Sequence, residues 1–232
     1  MERVCDSTQT SPYFYAIIVP MSNYLAIFCL SFTVALSGAL MPGPLLAAVI
    51  AESAGGGWRA GPLMIAGHAL LEGSLLVCLV LGLGRYLASP AIIAAVTAAG
   101  SLFLIYSGIQ MLVSLKRLTI ESACARASGP LKLVTAGVVV SATNPYWSVW
   151  WMTIGLGLAL SAGKAGLAGV GIFFCGHILA DLLWYSCVSF VIGCRRAAIS
   201  TGIYRGLLAV CALTLAGFGL YFLLSIRAFA GK

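Results

Sequence analysis

Residues 67–73 read Gly-His-Ala-Leu-Leu-Glu-Gly, and residues 176–182 read Gly-His-Ile-Leu-Ala-Asp-Leu. The chain has only two histidines, His68 and His177, and each is followed four positions later by one of its six acidic residues, Glu72 or Asp181. On a helix four residues turn through about 400°, so each pair shares one face with its members about 6 Å apart. An imidazole beside a carboxyl group can take up and release a proton near neutral pH, which is the chemistry of proton coupling. Two other readings use the same residues. A neutral histidine bonded to a carboxyl group can simply tie helices together. Two imidazoles and two carboxylates can also hold a divalent cation. Cys78 and Cys187 do not enlarge that donor set, because ten residues beyond each histidine they are turned away by about 80° and displaced about 15 Å along the helix.

The elements that carry these residues are set by composition. Of 232 residues, 61% are hydrophobic and only 8% are charged, which describes a membrane protein. Apolar runs long enough to cross about 30 Å of hydrocarbon occur at 24–51, 61–84, 91–115, 133–160, 166–192 and 206–226. None shows the alternation of a membrane barrel, so the expected fold is all-α with six transmembrane helices. Glu72 and Asp181 fall near the middle of the second and fifth runs, where an ionisable group is costly and by default marks an ion or substrate pathway.

The net charge of +7 is no nucleic-acid footprint, because the basic residues lie at span ends rather than in one patch. Arg59, Lys116, Arg117, Arg126, Lys132, Arg195, Arg196 and Arg205 fall on one side, and Arg3, Arg85, Lys164, Arg227 and Lys232 on the other. The positive-inside rule puts the first set in the cytoplasm and both termini outside. Residues 1–20 read as an N-terminal tail without signal-peptide character, and Met21 is a plausible alternative start. The eight cysteines form no Cys-x-x-Cys pair and have no zinc spacing, so most read as small packing residues.

A shift of 109 lays His68 on His177, Glu72 on Asp181 and Cys78 on Cys187, and a shift of 111 lays Gly108 on Gly219 and Ser114 on Ser225. The spans thus divide into repeats at 21–118 and 132–232, joined by a cytoplasmic loop at 119–131. Three spans per repeat make the second enter the membrane from the opposite side, an inverted arrangement typical of secondary transporters. Each repeat also carries a break in its first span. Pro42, Gly43 and Pro44 remove two backbone donors within three residues, and Asn144 before Pro145 is pushed out of the helical region. Such breaks either kink a helix packed by its neighbours or free backbone groups that can hold a small polar solute at membrane depth, and paired breaks point to a transport site. Asn144 adds an amide, and Tyr146, Trp147, Trp150 and Trp151 add an aromatic cluster whose other reading is an interfacial belt.

The Met-Pro-Gly-Pro element at 41–44, the glycine-rich stretch that follows it, and Ser-Ala-Thr-Asn-Pro-Tyr-Trp at 141–147 resemble the LysE superfamily of amino-acid exporters. The likeness runs from about Met21 to the C-terminus. It implies an inner-membrane translocator that expels an amino acid or similar solute with the proton gradient, with Pro42, Gly43, Pro44, Asn144, Pro145 and Tyr146 at the substrate. Related branches export divalent metals or relay electrons through membrane cysteines. The latter would place a cysteine beside the breaks, where Cys29 and Cys175 do not lie. The expected partners are therefore a small solute, protons and the lipid bilayer, with a homodimer compatible but unmarked, and no nucleic acid. No nucleotide-binding loop or activated nucleophile points to an enzyme, and no cofactor is expected.

Overall fold

A computed structural model describes residues 23–82, 90–117, 128–194 and 200–230. The N-terminal tail, most of the 119–131 segment, and Arg3, Arg85, Arg126, Arg195, Arg196 and Lys232 lie outside the described residues. Those described form helices and turns with no strand among them. The order is α1 (Tyr24–Ala39), α2 (Pro44–Gly56), a tight turn (Gly57–Arg59), α3 (Ala60–Val80), α4 (Pro90–Ser114), α5 (Pro130–Ala142) and α6 (Pro145–Trp150). A π-helical turn (Trp151–Gly155), α7 (Leu156–Gly163), α8 (Gly166–Cys194) and α9 (Thr201–Ala230) complete it. Four stretches are long and apolar enough to cross a membrane: Pro44–Val80, Thr97–Arg117, Gly166–Cys194 and Thr201–Ser225, while α1 and α5 are shorter apolar helices. The protein is a multi-pass membrane protein.

Both breaks have a local cause. The first run ends as a helix at Ala39, and α2 restarts at Pro44, whose missing N–H costs nothing at a helix start, behind an extended Gly43. In the second half α5 ends at Ala142 and α6 restarts with Pro145 in the same position. Asn144 caps that start by accepting the Tyr146 N–H at 3.1 Å. The expected run at 133–160 is therefore three helical pieces, with a π turn at Trp151–Gly155 that hydropathy does not signal. Gly57, at φ 71°, occupies a left-handed conformation that lets α2 turn into α3.

The core forms where α3 and α8 meet, with α5 packed on α3 and α1 packed on α8. α4 and α9 pack together, and they also reach α6 and α2 respectively. Glycines set several close approaches between these helices. Gly67 on α3 faces the Val134 carbonyl of α5, and Gly137 on α5 returns the contact against the Met64 carbonyl, so neither position has room for a Cβ. Gly176 on α8 sits in the same way against the Phe28 carbonyl of α1. Between membrane helices, where no hydrophobic drive separates lipid from protein, such small-residue contacts bring backbones together. Gly67 and Gly176 each directly precede a histidine, so the approach that packs the helices also fixes the imidazoles against their neighbours.

Replacing Gly67 by valine forces α3 and α5 apart and should destabilise the folded protein by about 1–3 kcal/mol or more, whereas Gly157→Ala, with open space around it, should be neutral. Thermal unfolding in detergent checks the pair, and equal stability of the two variants would contradict the packing described.

Candidate functional site

His68 and Glu72 stand about halfway along α3, and His177 and Asp181 about halfway along α8. The two helices face each other there, and all four side chains are buried. His68 Nε2 lies 3.0 Å from Glu72 Oε1 and 3.4 Å from Asp181 Oδ2. His177 Nε2 lies 3.1 Å from Glu72 Oε2 and 3.6 Å from Asp181 Oδ2. One ligand atom from each residue falls within 4.8 Å of all the others. The within-helix pairs read from the sequence are thus joined by two contacts across helices, which make one cluster of four. Cys78, half-buried, and Cys187, exposed, stand outside it.

A carboxylate removed from water must find donors, because an unpaired buried charge costs several kcal/mol. Glu72 finds two indoles. Trp147 Nε1 donates to Glu72 Oε1 at 2.9 Å and Trp151 Nε1 donates to the same oxygen at 2.8 Å. The two tryptophans are four residues apart, on α6 and at the start of the π turn, so one helical face presents both N–H groups. π turns are rare and recur at functional sites. Glu72 Oε2, by contrast, is buried without a hydrogen bond despite its closeness to His177. His68 Nδ1 is 2.7 Å from the Ser141 hydroxyl of α5. The His177 ring sits among Trp150, Trp151 and Phe173, at centroid distances of 4.9, 5.6 and 6.1 Å.

The cluster opens on a cavity of about 80 Å³ lined also by Asn144, Tyr146, Trp147, Trp150 and Tyr185. A second cavity of about 50 Å³ adjoins it through the shared residues Gly38, Leu45, Asn144, Tyr146 and Tyr185, and reaches Gly43 and Pro44. Of the residues expected at the substrate, Asn144 and Tyr146 therefore border the cluster directly, and Gly43 and Pro44 border the adjoining space. Pro42 lines neither cavity. Pro145 is fully buried and lines a separate cavity with Gly100 of α4. A larger space of about 560 Å³ beside α7 is walled by apolar side chains with Lys164 at its edge, and it offers no comparable chemistry.

Ser141, Trp147, Trp151 and Tyr185 complete the site; the sequence names the two tryptophans only as part of an aromatic cluster beside the break, and gives Ser141 and Tyr185 no role. The i, i+4 spacing of the two tryptophans after a break was a usable signal. Ser141 carried none, since a serine hydroxyl in an apolar helix usually bonds its own backbone, and Tyr185 reads as one more aromatic residue of an apolar span.

Comparison with known proteins adds the following. The family model of the LysE type translocator matches residues 36–226. The chain is 25% identical over 182 residues, 78% of this chain and 87% of the other, to the "Putative amino acid efflux protein YcgF" of Bacillus subtilis (strain 168). No solved structure matches.

Trp151→Phe keeps an aromatic ring but leaves Glu72 Oε1 with one indole donor fewer. A loss of about 1–3 kcal/mol of stability is expected, with a smaller loss for the less buried Trp147→Phe. Unfolding curves that place Trp151→Phe level with wild type would show that the indole is not a working partner of the carboxylate.

Proposed function

The chain belongs to the LysE type translocator family, and from that premise we propose that it exports an amino acid or a related small solute across the cell membrane, driven by protons. The observation that carries the reading is the buried cluster of His68, Glu72, His177 and Asp181, opening on a cavity that the second break also borders. With both imidazoles neutral and both carboxylates ionised the cluster carries two negative charges, and two protons on it balance them. Loss or gain of one proton then changes the charge facing the cavity, which is how a proton can be tied to the affinity for a polar solute. Trp150 and Tyr146 suit an ammonium group, since aromatic faces attract cations. Asn144 supplies an amide, and Gly43 and Pro44 bring the start of α2 to the adjoining cavity. Pro42 and Pro145 act by shaping the backbone.

Alternating access follows from the inverted repeat, with 21–118 and 132–232 as the two halves. Exchange of the halves maps the α1–α8 packing onto α5–α3 and the α2–α9 packing onto α6–α4, which supports this reading. The guanidinium of Arg205 donates to the Lys116 carbonyl at 2.9 Å, which draws two basic span ends together on the side assigned to the cytoplasm, with both termini outside. Export of a divalent metal, the other use of two imidazoles and two carboxylates, is disfavoured by the family and by the name of the Bacillus relative.

The test is a counterflow screen of amino acids in proteoliposomes, repeated with Glu72→Gln and Asp181→Asn. At equal pH on both sides the variants should still exchange the substrate within a few-fold of wild type. Under a pH gradient they should lose accumulation. If both variants concentrate the substrate as wild type does, the coupling role assigned to these carboxylates fails.

A further inference from the structure

The four buried side chains meet a geometric condition that hydrogen bonding alone does not require. In a tetrahedral site with metal–ligand bonds near 2.0–2.1 Å, neighbouring donor atoms stand about 3.3 Å apart. Asp181 Oδ2 lies 3.4 and 3.6 Å from the two imidazole Nε2 atoms, and His177 Nε2 lies 3.1 Å from Glu72 Oε2. These three spacings straddle that edge length. One donor atom from each of the four residues lies within 4.8 Å of the others, so closure around an ion asks for shifts on the order of 1 Å.

The surroundings sort the donor atoms in the same sense. Glu72 Oε1 is taken by Trp147 and Trp151, and this leaves Oε2, buried and in no hydrogen bond, as the free oxygen. The Ser141 hydroxyl can accept the Nδ1–H of His68, and the Nε2 lone pair then points into the cluster. Metal-bound histidines and carboxylates are held by outer partners of this kind, which His68 and Glu72 have, while His177 Nδ1 is buried without one. The charges also agree, since a divalent ion brings two positive charges to two carboxylates beside neutral imidazoles. Two nitrogens and two oxygens in a tetrahedron suit Zn²⁺ or Co²⁺, whereas Mg²⁺ and Ca²⁺ call for six or more oxygens.

We propose that His68, Glu72, His177 and Asp181 form a tetrahedral binding site for a divalent transition-metal ion, which clamps α3 to α8 and arrests transport. The ion is held there as a blocking ligand and is not cargo. Its binding stands apart from the export reading, and only the arrest rests on that reading.

Co²⁺ titrated into the detergent-solubilised full chain should give the intense visible absorption of tetrahedral cobalt, without the near-ultraviolet bands of thiolate ligation. Emission from Trp147 and Trp151, which touch the ligand Glu72, should fall in step. Zn²⁺ should displace the cobalt, and Mg²⁺ should not. His177→Asn and Asp181→Asn should each weaken Co²⁺ binding at least about tenfold. Should either variant fail to fold, the wild-type titration decides alone: no tetrahedral spectrum, or a thiolate one, overturns the site. In proteoliposomes Zn²⁺ should stop counterflow of wild type. Undiminished counterflow at saturating Zn²⁺, or entry of Zn²⁺ into the vesicles, overturns the blocking role while leaving the binding result intact. Absence of any amino-acid counterflow before metal is added would instead count against the export reading.

Discussion

Two carboxylates placed in the middle of a membrane protein have to be answered from within, because the bilayer offers them no water. In this chain Glu72 is answered by two indole N–H groups and two imidazoles, and Asp181 by the same two imidazoles. Most of the architecture around them serves that requirement. α3 and α8 must lie side by side at mid-length, and α6 must begin where its tryptophans can reach Glu72. α5 must approach α3 closely enough for Ser141 to reach His68. Glycine at 67, 137 and 176 makes the close approaches sterically feasible.

The two breaks belong to the same requirement. A helix running straight from 130 to 163 would set its tryptophans by the phase of its first turn. The break at Asn144 and Pro145 restarts the helix and allows a new phase, which turns Trp147 and Trp151 onto one carboxylate oxygen. The π turn beginning at Trp151 widens the helix at the point of contact. Gly155, inside that turn, faces the rings of Trp150 and Trp151, so the indoles lie over a position without a side chain. Backbone irregularity at membrane depth persists here because protein and a polar cavity cover it.

What was legible in the sequence was what rare residues reveal. Two histidines and two acids in an apolar chain, repeated at one spacing, marked α3 and α8 and the place where they meet. The helical class followed from hydropathy, and the breaks followed from proline. The rest depended on rotation and depth, which composition does not encode. Pro145 was read as part of a substrate site because it breaks a helix. Its ring packs on Gly100, so any part it has in the site comes through the break it makes in the backbone. Trp147 and Trp151 were visible as an aromatic cluster, but an interfacial belt has the same spacing. Only the geometry turns their N–H groups inward. Ser141, Tyr185 and the π turn had no local signature at all.

In the mechanism proposed above, a proton and the solute share the cluster formed by α3 and α8. Proton exchange on binding of the exported amino acid to purified protein, followed with a pH dye in weak buffer, measures this most directly. Wild type should show a near-stoichiometric proton change on substrate binding, lost in a Glu72→Gln, Asp181→Asn double variant that still binds. Tight binding with no proton exchanged, or an unaltered exchange in that variant, would contradict it.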